Sequence, residues 1–331
     1  EGLVTRLMEA ERLPPERLPL NRETQITSDI SSLGTLKSSL ADLRDSLSSV
    51  NSLSTFEERK ASSSDSTKVA VTATSKAAIG DYKVSVSALA TQQSLAIRNE
   101  FNSTSETVGT GTLSFTFGST GYTADGSNNT NDTYDSFSSK AGAETKTVVI
   151  SNANSSLTGV RDAINAAEIG VTASIVGSGT SHNLVITTNS TGAENSVQIS
   201  VTGDGDGNNT DATGLSRLSF NATVGTSNVY QTQAASDAAF TVNGLALTSS
   251  TNVATDFIDG VTLTLKETTS GSETVTISDN KTGIKSAIDA FIKGYNDYRV
   301  KVTELTGYDA LTGIGGPLQG DFSARTLGSQ I

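Results

Sequence analysis

The sequence contains no cysteine and one histidine in 331 residues. Without cysteine there are no disulfides, no thiolate metal sites and no thiol chemistry, so packing alone must hold the fold. Any Ser-His triad or imidazole metal site would have to include His182. No nucleophile-elbow motif accompanies that residue, and we interpret it as an exposed turn histidine. The sequence therefore predicts neither an enzyme nor a cofactor.

Long apolar runs are also missing. No stretch of eighteen apolar residues occurs, so no membrane span is expected. No charged region followed by a short apolar block opens the chain, so no cleavable secretion signal is expected. The sequence does not begin with Met, and it starts and stops inside helical patterns. We therefore expect a fragment that lacks both extreme termini.

Positive charge is scarce. The net charge is −12, and residues 102–230 hold 4 Lys or Arg against 11 Asp or Glu. An acidic surface repels phosphate backbones and anionic lipid, so nucleic acid and membrane surfaces are not expected partners. Acidity for solubility is the common explanation, and a cationic protein partner is the alternative.

One loop resembles a calcium site in part. Asp204, Asp206 and Asn208 stand at the first, third and fifth places of such a loop. The sixth place is Asn209, where a glycine is required, and the twelfth is Leu215, where a bidentate Glu should close the shell. We therefore interpret the segment as a solvated turn and expect no metal.

The C-terminal part of the chain carries a heptad pattern. Apolar residues separated by alternating steps of four and three keep one stripe facing a partner helix. Burying seven such side chains contributes roughly 10 to 20 kcal/mol before entropy is subtracted. The residues are Ile284, Ile288, Phe291, Tyr295, Tyr298, Val302 and Leu305.

The partner of this helix is expected near the other end of the chain, where similar steps recur. A three-residue slip between Leu33 and Leu36 overwinds the pattern locally. Pro14, Pro15 and Pro19 predict a break before this helix, which we expect to run from about Asn21 to Leu53. The apolar residues are Ile26, Ile30, Leu33, Leu36, Leu40, Leu43, Leu47 and Val50.

Two tyrosines on the C-terminal stripe are unusual for a helix seam. A buried tyrosine needs a partner for its hydroxyl group. Tyr295 and Tyr298 therefore indicate either a bundle core with satisfied hydroxyls or a contact with another subunit. The first interpretation is the commoner one.

Between the two helical ends the sequence alternates at period two, which predicts strands. Val69 to Thr74 and Tyr82 to Ala88 are expected to form a hairpin around Gly80-Asp81, and Asn243-Gly244 is a strong hairpin signal. Ala61 to Lys68 is expected to be a polar linker. A helix is predicted from Leu157 to Glu168, capped by Ser155 or Ser156 and ended by Gly170.

The predicted fold is therefore an α+β multidomain protein. A coiled-coil-like helical leg from both chain ends carries two nested, mostly antiparallel β domains. The predicted boundaries are residues 1–60 with 280–331 for the leg, 65–101 with 231–279 for a β head domain, and 102–230 for an inserted β-rich domain with one short helix.

Several segments together resemble one known family. Ser156 to Val176 resembles the repeat of flagellar hook-associated proteins and flagellins. Asp237 to Leu265, with Phe-Thr-Val-Asn-Gly and Asp-Gly-Val-Thr-Leu, is similar to the flagellar cap family, hook-associated protein 2. Collinear matches extend this likeness over nearly the whole chain. They are Leu7 to Arg12, Gly80-Asp81-Tyr82 with Leu89-Ala90, Phe291 with Tyr295-Asn296, and Gly316-Pro317-Leu318 with Gly320-Asp321.

The resemblance implies an extracellular protein at the flagellum tip, exported by the flagellar type III apparatus. Its copies would form a homo-oligomeric ring of four to six subunits, and flagellin would be inserted beneath that ring. Further implied partners are the hook-filament junction protein and an export chaperone in the cytoplasm. The alternatives are another hook-associated junction protein and a surface adhesin whose β head binds host mucin or glycans.

Overall fold

The structure is a computed structural model that describes residues 2–98, 100–123, 132–222, 228–311 and 313–331, with only the backbone course for residues 3–20. No helix in these ranges is both long enough and apolar enough to cross a membrane. The α-helices are α1 (Gly2–Val50), α2 (Leu53–Glu57), α3 (Leu157–Ala166), α4 (Lys281–Thr306) and α5 (Phe322–Gln330).

Helix α1 is continuous, and the predicted break at the three prolines is wrong. The helix extends over 49 residues from Gly2 to Val50 and includes Pro14, Pro15 and Pro19. A proline inside a helix removes one backbone donor, and its ring clashes with the carbonyl four residues earlier, at a cost of about 3 kcal/mol. Helix α1 continues despite that cost. Leu, Arg and Glu, which are good helix formers, are the neighbouring residues and favour continuation. The helix ends at Val50, and Leu53 begins the separate short helix α2.

The chain divides into two compact units. One unit contains Glu1–Lys60 with Asp279–Ile331, and the other contains Ala61–Ser278. The described residues of the first unit contain four helices, a small hairpin of β17 (Tyr308–Asp309) with β18 (Ile314–Gly315), and the ends of two strands that continue into the second unit. The second unit contains antiparallel sheets and α3. The protein is thus of the α+β class, with several domains.

In the part of the chain that the structure describes, sixteen strands precede that hairpin. All strand pairs that are described are antiparallel. The strands are β1 (Arg59–Ser63), β2 (Val69–Ala73), β3 (Gly80–Ala88), β4 (Ser94–Ile97), β5 (Gly111–Thr123), β6 (Thr133–Ser139), β7 (Lys146–Ile150), β8 (Val171–Ser178), β9 (Ser181–Thr188), β10 (Ser196–Thr202), β11 (Val229–Gln233), β12 (Ala238–Val242), β13 (Leu245–Ser249), β14 (Val253–Ile258), β15 (Val261–Leu265) and β16 (Glu273–Asp279).

Two sheets enclose the first β core. One has the order β1-β16-β3-β12-β13 and the other the order β14-β15-β2. The predicted hairpin of β2 with β3 is wrong, because β3 pairs with β12 and β16 while β2 pairs with β15. Side chains from both sheets, such as Val86, Phe240 and Leu263, are buried in this core. Strands β2 and β3 are adjacent in sequence, but they belong to different sheets and contribute side chains to the core between those sheets.

The Asn243-Gly244 hairpin prediction is confirmed. These residues connect β12 to β13, and their φ angles are 50° and 84°. A type I′ turn requires positive φ at both positions. The Asn243 side chain also accepts a hydrogen bond from the Lys83 amide at 2.8 Å, which ties the turn to β3.

Two further sheets enclose a second core. One has the order β10-β5-β6 with β7 also on β5, and the other has the order β11-β4-β9-β8. Helix α3 contributes Leu157, Val160 and Ile164 to this core, and its first turn is capped by Ser156. Leu95 and Ile97 lie in the range 65–101 predicted for the first β domain, but both side chains pack in the second core.

The predicted linker at residues 61–68 is structured. Strand β1 ends at Ser63, and the Ser64 amide donates to the Thr274 carbonyl at 2.9 Å. Lys68 forms ion pairs with Asp65 and Glu273, both at 3.3 Å, and these carboxylates raise the pKa of the Lys68 ammonium group. The polar composition of this segment predicted a linker. Its polar groups instead form hydrogen bonds and an ion pair with strand β16.

Candidate assembly site on the paired helices

Helices α1 and α4 pack against each other in opposite directions. Glu58, just after α2, accepts a 2.8 Å hydrogen bond from the Asn280 side chain, which caps the start of α4. Further along, Gly294 lies against Ser46. Residue numbers at the contacts fall from 58 to 46 on the N-terminal side while they rise from 280 to 294 on the other, so the two helices are antiparallel.

A buried seam joins these helices. Among its predicted members, Leu36, Leu43, Tyr298 and Val302 are buried in one cluster. Four more predicted members, Leu40, Phe291, Tyr295 and Leu305, are partly buried against that cluster. Val50 and Ile284 are half-buried. The side chains brought together thus come from both ends of the chain.

Five predicted seam residues are exposed instead. Ile26, Ile30 and Leu33 are 50%, 64% and 42% exposed, and Leu47 and Ile288 are 47% and 39% exposed. Because Ser46 faces Gly294 and each helical residue adds 1.5 Å, the end of α4 at Thr306 is level with about residue 34 of α1. The packing predicted for Ile26 and Ile30 is therefore not formed with α4, which ends before reaching them.

Helix α5 was not predicted, although it completes the packed cluster. Leu318 and Ala324 are buried there, and Leu327 packs against them. The Arg299 guanidinium donates to the Gly328 carbonyl at 2.9 Å, which holds α5 on α4. The available signal was Asp321, whose side chain caps α5 by accepting the Ala324 amide at 2.8 Å. Nine residues are too few for a clear periodic pattern.

The hydroxyl of Tyr298 is a buried polar group in this cluster. The Tyr298 side chain is fully buried, and among the described residues its hydroxyl has no hydrogen-bond partner. Burial raises the pKa of this phenol. Among the described residues, no group supplies the hydrogen-bond partner that the interpretation with satisfied hydroxyls requires for Tyr298. An unsatisfied buried hydroxyl costs about 1–3 kcal/mol.

The outer face of α4 is charged. Lys285 pairs with Asp289 and Lys293 with Asp297, each four residues apart on the helix. The side chains of these pairs are more than half exposed, and such pairs contribute little to stability. The pattern gives α4 one apolar side and one hydrated side, as a helix in a bundle requires.

The Asp204 loop has a structural role rather than the geometry of a metal site. Asp204 is buried, and its carboxylate accepts the amides of Leu215 and Ser216 at 3.1 and 2.7 Å. These amides open a 3₁₀ helix, Gly214–Leu218. Asp206 accepts the Asn208 amide at 2.9 Å. Within the described ranges, no group of three or more His, Cys, Asp or Glu could hold a metal ion.

His182 lies in a strand and not in a turn. It belongs to β9, and its backbone exchanges hydrogen bonds with Phe101 at 2.8 and 2.9 Å. Its Nε2 atom lies 3.0 Å from the Gly179 carbonyl oxygen. The side chain is thus positioned by the edge of a hairpin, and its contacts are those of a structural residue.

Family models match both ends of the chain. The model for the N-terminus of flagellar hook-associated protein 2 matches residues 1–93, and the model for its C-terminus matches residues 235–331. Together these ranges contain more than half of the chain. They include both members of the α1–α4 pair and the strands of the first β core.

Individual relatives agree with this result. The B-type flagellar hook-associated protein 2 of Pseudomonas aeruginosa is 29% identical over 92% of this chain, and the A-type protein of that species is 32% identical over 99%. The chain spans 62% and 66% of the length of these two relatives.

A solved structure shows the same fold. The D1-D2-D3 domains of the flagellar cap protein FliD from Escherichia coli superpose with a TM-score of 0.71 and 29% identity. The match covers 91% of this chain and 75% of that one. From both family models and the shared fold, we conclude that the chain belongs to the flagellar hook-associated protein 2 family of flagellar cap proteins.

Proposed function

We propose that this protein caps the distal end of a bacterial flagellar filament and promotes the insertion of flagellin subunits beneath a ring of its own copies. The observation that supports the proposal is the pairing of α1 with α4, which joins the two family-matched ends of the chain through Leu36, Leu43, Tyr298 and Val302. The whole protein would be extracellular, at the flagellum tip.

Each predicted domain is assigned one part of the proposed function. The leg that would contact the filament consists of residues 1–60 with 280–331. The cap plate would be formed by the β head domain, residues 65–101 with 231–279, together with the insertion 102–230. A ring that sits on a helical filament of different symmetry needs contacts that can be remade at each insertion. Polar, acidic sheet surfaces suit that requirement, and no catalytic group is needed.

The proposed partners are other copies of this chain, in a ring of four to six, and flagellin. The hook-filament junction protein and a cytoplasmic export chaperone would be met during assembly, and export would use the flagellar type III apparatus. The family matches favour the cap over the junction role, because both models are of hook-associated protein 2.

A deletion strain tests the proposal. We expect the deletion to abolish filaments and to release flagellin monomers into the medium, and the wild-type gene to restore filaments. Leu36→Asp, which places a charge in the buried helix seam, should fail to restore them. The control Leu245→Asp alters an exposed side chain in the β unit and should restore them.

Normal filaments in the deletion strain would contradict the cap function. If those cells also lost attachment to mucin, the adhesin alternative would replace it.

A further inference from the structure

The turn between β12 and β13 places an asparagine side chain before an unshielded backbone amide. Asn243-Gly244 is the one Asn-Gly pair in the sequence, and both residues are exposed. A Cβ atom built at Gly244 would have no heavy atom within 4 Å. Glycine has no side chain that could shield its own nitrogen. The Gly244 nitrogen is therefore accessible to the carbonyl carbon of the neighbouring side chain.

The hydrogen-bonding pattern leaves this nitrogen available. Among the described residues, the Gly244 amide has no hydrogen-bond partner. The Asn243 amide, by contrast, donates to the Lys83 carbonyl at 2.8 Å. The turn is thus held through Asn243, while the nitrogen that follows it is not engaged.

The side-chain carbonyl of Asn243 is polarised by strand β3. The Lys83 amide donates to Asn243 Oδ1 at 2.8 Å. Lys83 lies inside β3, and its neighbour Val84 pairs with Val242 of β12, so the sheet fixes the position of this donor. A fixed N–H group stabilises negative charge that develops on a carbonyl oxygen when its carbon is attacked. The structure therefore places a nucleophile and an oxyanion donor at the same side-chain amide.

We propose that Asn243 is a site of spontaneous modification, at which its side-chain amide is lost through a cyclic imide formed with Gly244. The Gly244 nitrogen attacks Asn243 Cγ, the Cγ–Nδ2 bond breaks, and the Gly244 proton leaves with Nδ2 as ammonia. Water then opens the ring. Opening at Cγ gives aspartate. Opening at the Asn243 backbone carbonyl carbon gives isoaspartate, in which the main chain passes through Cβ and Cγ.

The two products have different consequences for the hairpin. Aspartate keeps a side-chain oxygen that can accept the Lys83 amide. Isoaspartate adds an atom to the main chain of the turn between Val242 and Leu245, which are paired in the register of β12 with β13. A two-residue turn of this type matches the twist of its strands only with the normal main-chain length. We therefore expect isoaspartate, and not aspartate, to weaken the pairing of β13.

Asn252 is a matched control within the same protein. Its side chain also bonds to the backbone of another segment, because Oδ1 accepts the Ala90 amide at 2.8 Å and Nδ2 donates to the Ala90 carbonyl at 2.9 Å. The residue that follows it is Val253, whose branched side chain restricts access to its own nitrogen. A difference between the two asparagines therefore reports the following residue and the open turn.

Peptide mapping of the folded wild-type chain tests the proposal. The protein is incubated in native buffer at pH 6 and pH 8, sampled over several weeks, digested and analysed by mass spectrometry, with the zero-time sample correcting for conversion during digestion. We expect conversion at Asn243 to be at least ten times that at Asn252. Because the attacking nitrogen must lose its proton, we also expect conversion at pH 8 to exceed that at pH 6 at least fivefold.

Equal conversion at the two asparagines would overturn the proposal. So would an unmodified Asn243 in the folded protein under conditions in which the urea-unfolded chain is converted, because the turn would then protect the amide. Gly244→Ala provides a second measurement and should lower conversion at least fivefold, with circular dichroism used to check the fold. Since the wild-type comparison needs no variant, it remains decisive if Gly244→Ala does not fold. These outcomes are independent of the cap function, which is read from the deletion strain.

Discussion

Gly294 of α4 lies directly against Ser46 of α1. A Cβ atom at position 294 would be 2.6 Å from Ser46 Oγ and 3.7 Å from Leu43 Cα. Ser46 Oγ is engaged with the Leu43 carbonyl at 2.7 Å. The missing side chain at Gly294 thus allows the two helices to approach closely at the middle of the seam.

Enlarging this glycine should separate the helices. We expect Gly294→Leu to lower the free energy of unfolding of the helical unit by about 1–3 kcal/mol, the usual cost of overpacking. The matched control is Ala290→Leu on the exposed side of α4, which should change it little. Urea unfolding followed by circular dichroism measures both. An unchanged midpoint for Gly294→Leu would show that α1 moves away without cost.

Removing the buried hydroxyl of Tyr298 should stabilise the isolated chain. Tyr298→Phe keeps the ring and removes a polar atom that has no partner among the described residues. We expect the free energy of unfolding to rise by about 1 kcal/mol. The exposed Tyr308→Phe is the control. A clear loss of stability in Tyr298→Phe would indicate that the hydroxyl has a partner, such as bound water.

Asp204 should matter for stability and not for calcium. Asp204→Ala removes the acceptor for two buried amides at the start of the 3₁₀ helix, and we expect a loss of about 2–3 kcal/mol. Asp206→Ala, at a more exposed position, should cost much less. Calcium at millimolar concentration should leave the wild-type melting temperature unchanged. A calcium-dependent rise that Asp204→Ala abolishes would restore the metal interpretation.

Gln93 should be essential to the second β core. Its fully buried side chain accepts the Val197 amide and donates to Gln231 Oε1, both at 2.7 Å. Gln93→Leu leaves both groups without this partner, and we expect a loss of about 2–4 kcal/mol in thermal or urea unfolding. Gln92→Leu, on an exposed neighbour, is the control. Similar effects for both variants would contradict a specific role for the buried amide.

Stability should fall above pH 10 because of buried tyrosines. Burial raises the pKa of Tyr134, which stacks on Phe220 at 4.2 Å, well above the ordinary value of about 10, and it raises that of Tyr122 to about 12. Between pH 10 and the folded pKa the unfolded state loses these protons first, so the stabilisation present below pH 10 is lost as the pH rises.

The matched comparison is wild type against Tyr134→Phe in urea at pH 8, 10 and 11. We expect the variant to have a shallower decline, by up to about 1.4 kcal/mol per pH unit. Lysines also titrate in this range, but they are present in both proteins. Parallel curves for the two proteins would exclude Tyr134 as a source of the decline.

Local patterns predicted several elements correctly. The helix around Val160 and Ile164, the Asn243-Gly244 turn and the apolar side of α4 all follow from spacing within a few residues. The same reasoning was wrong about the break at the prolines and about the hairpin of β2 with β3. In the second case, each strand was identified but its partner was not.

The missed parts of the candidate site share one cause. Helix α5 is short, and its burial depends on Val302 and Arg299 of α4. In the sequence, Gly294 is only a poor helix former. Its role in letting the two helices approach closely is evident only from its position against Ser46 in the structure.

The sequence by itself determined that α3 and α4 are helices and which side of each is apolar, because side-chain period is a property of neighbouring residues. The tertiary structure alone decided which apolar sides are covered. Leu36 is buried and Ile30 exposed on the same helix, since α4 reaches one and ends before the other. Burial depends on the length and position of a partner more than two hundred residues away, and no local pattern encodes that distance.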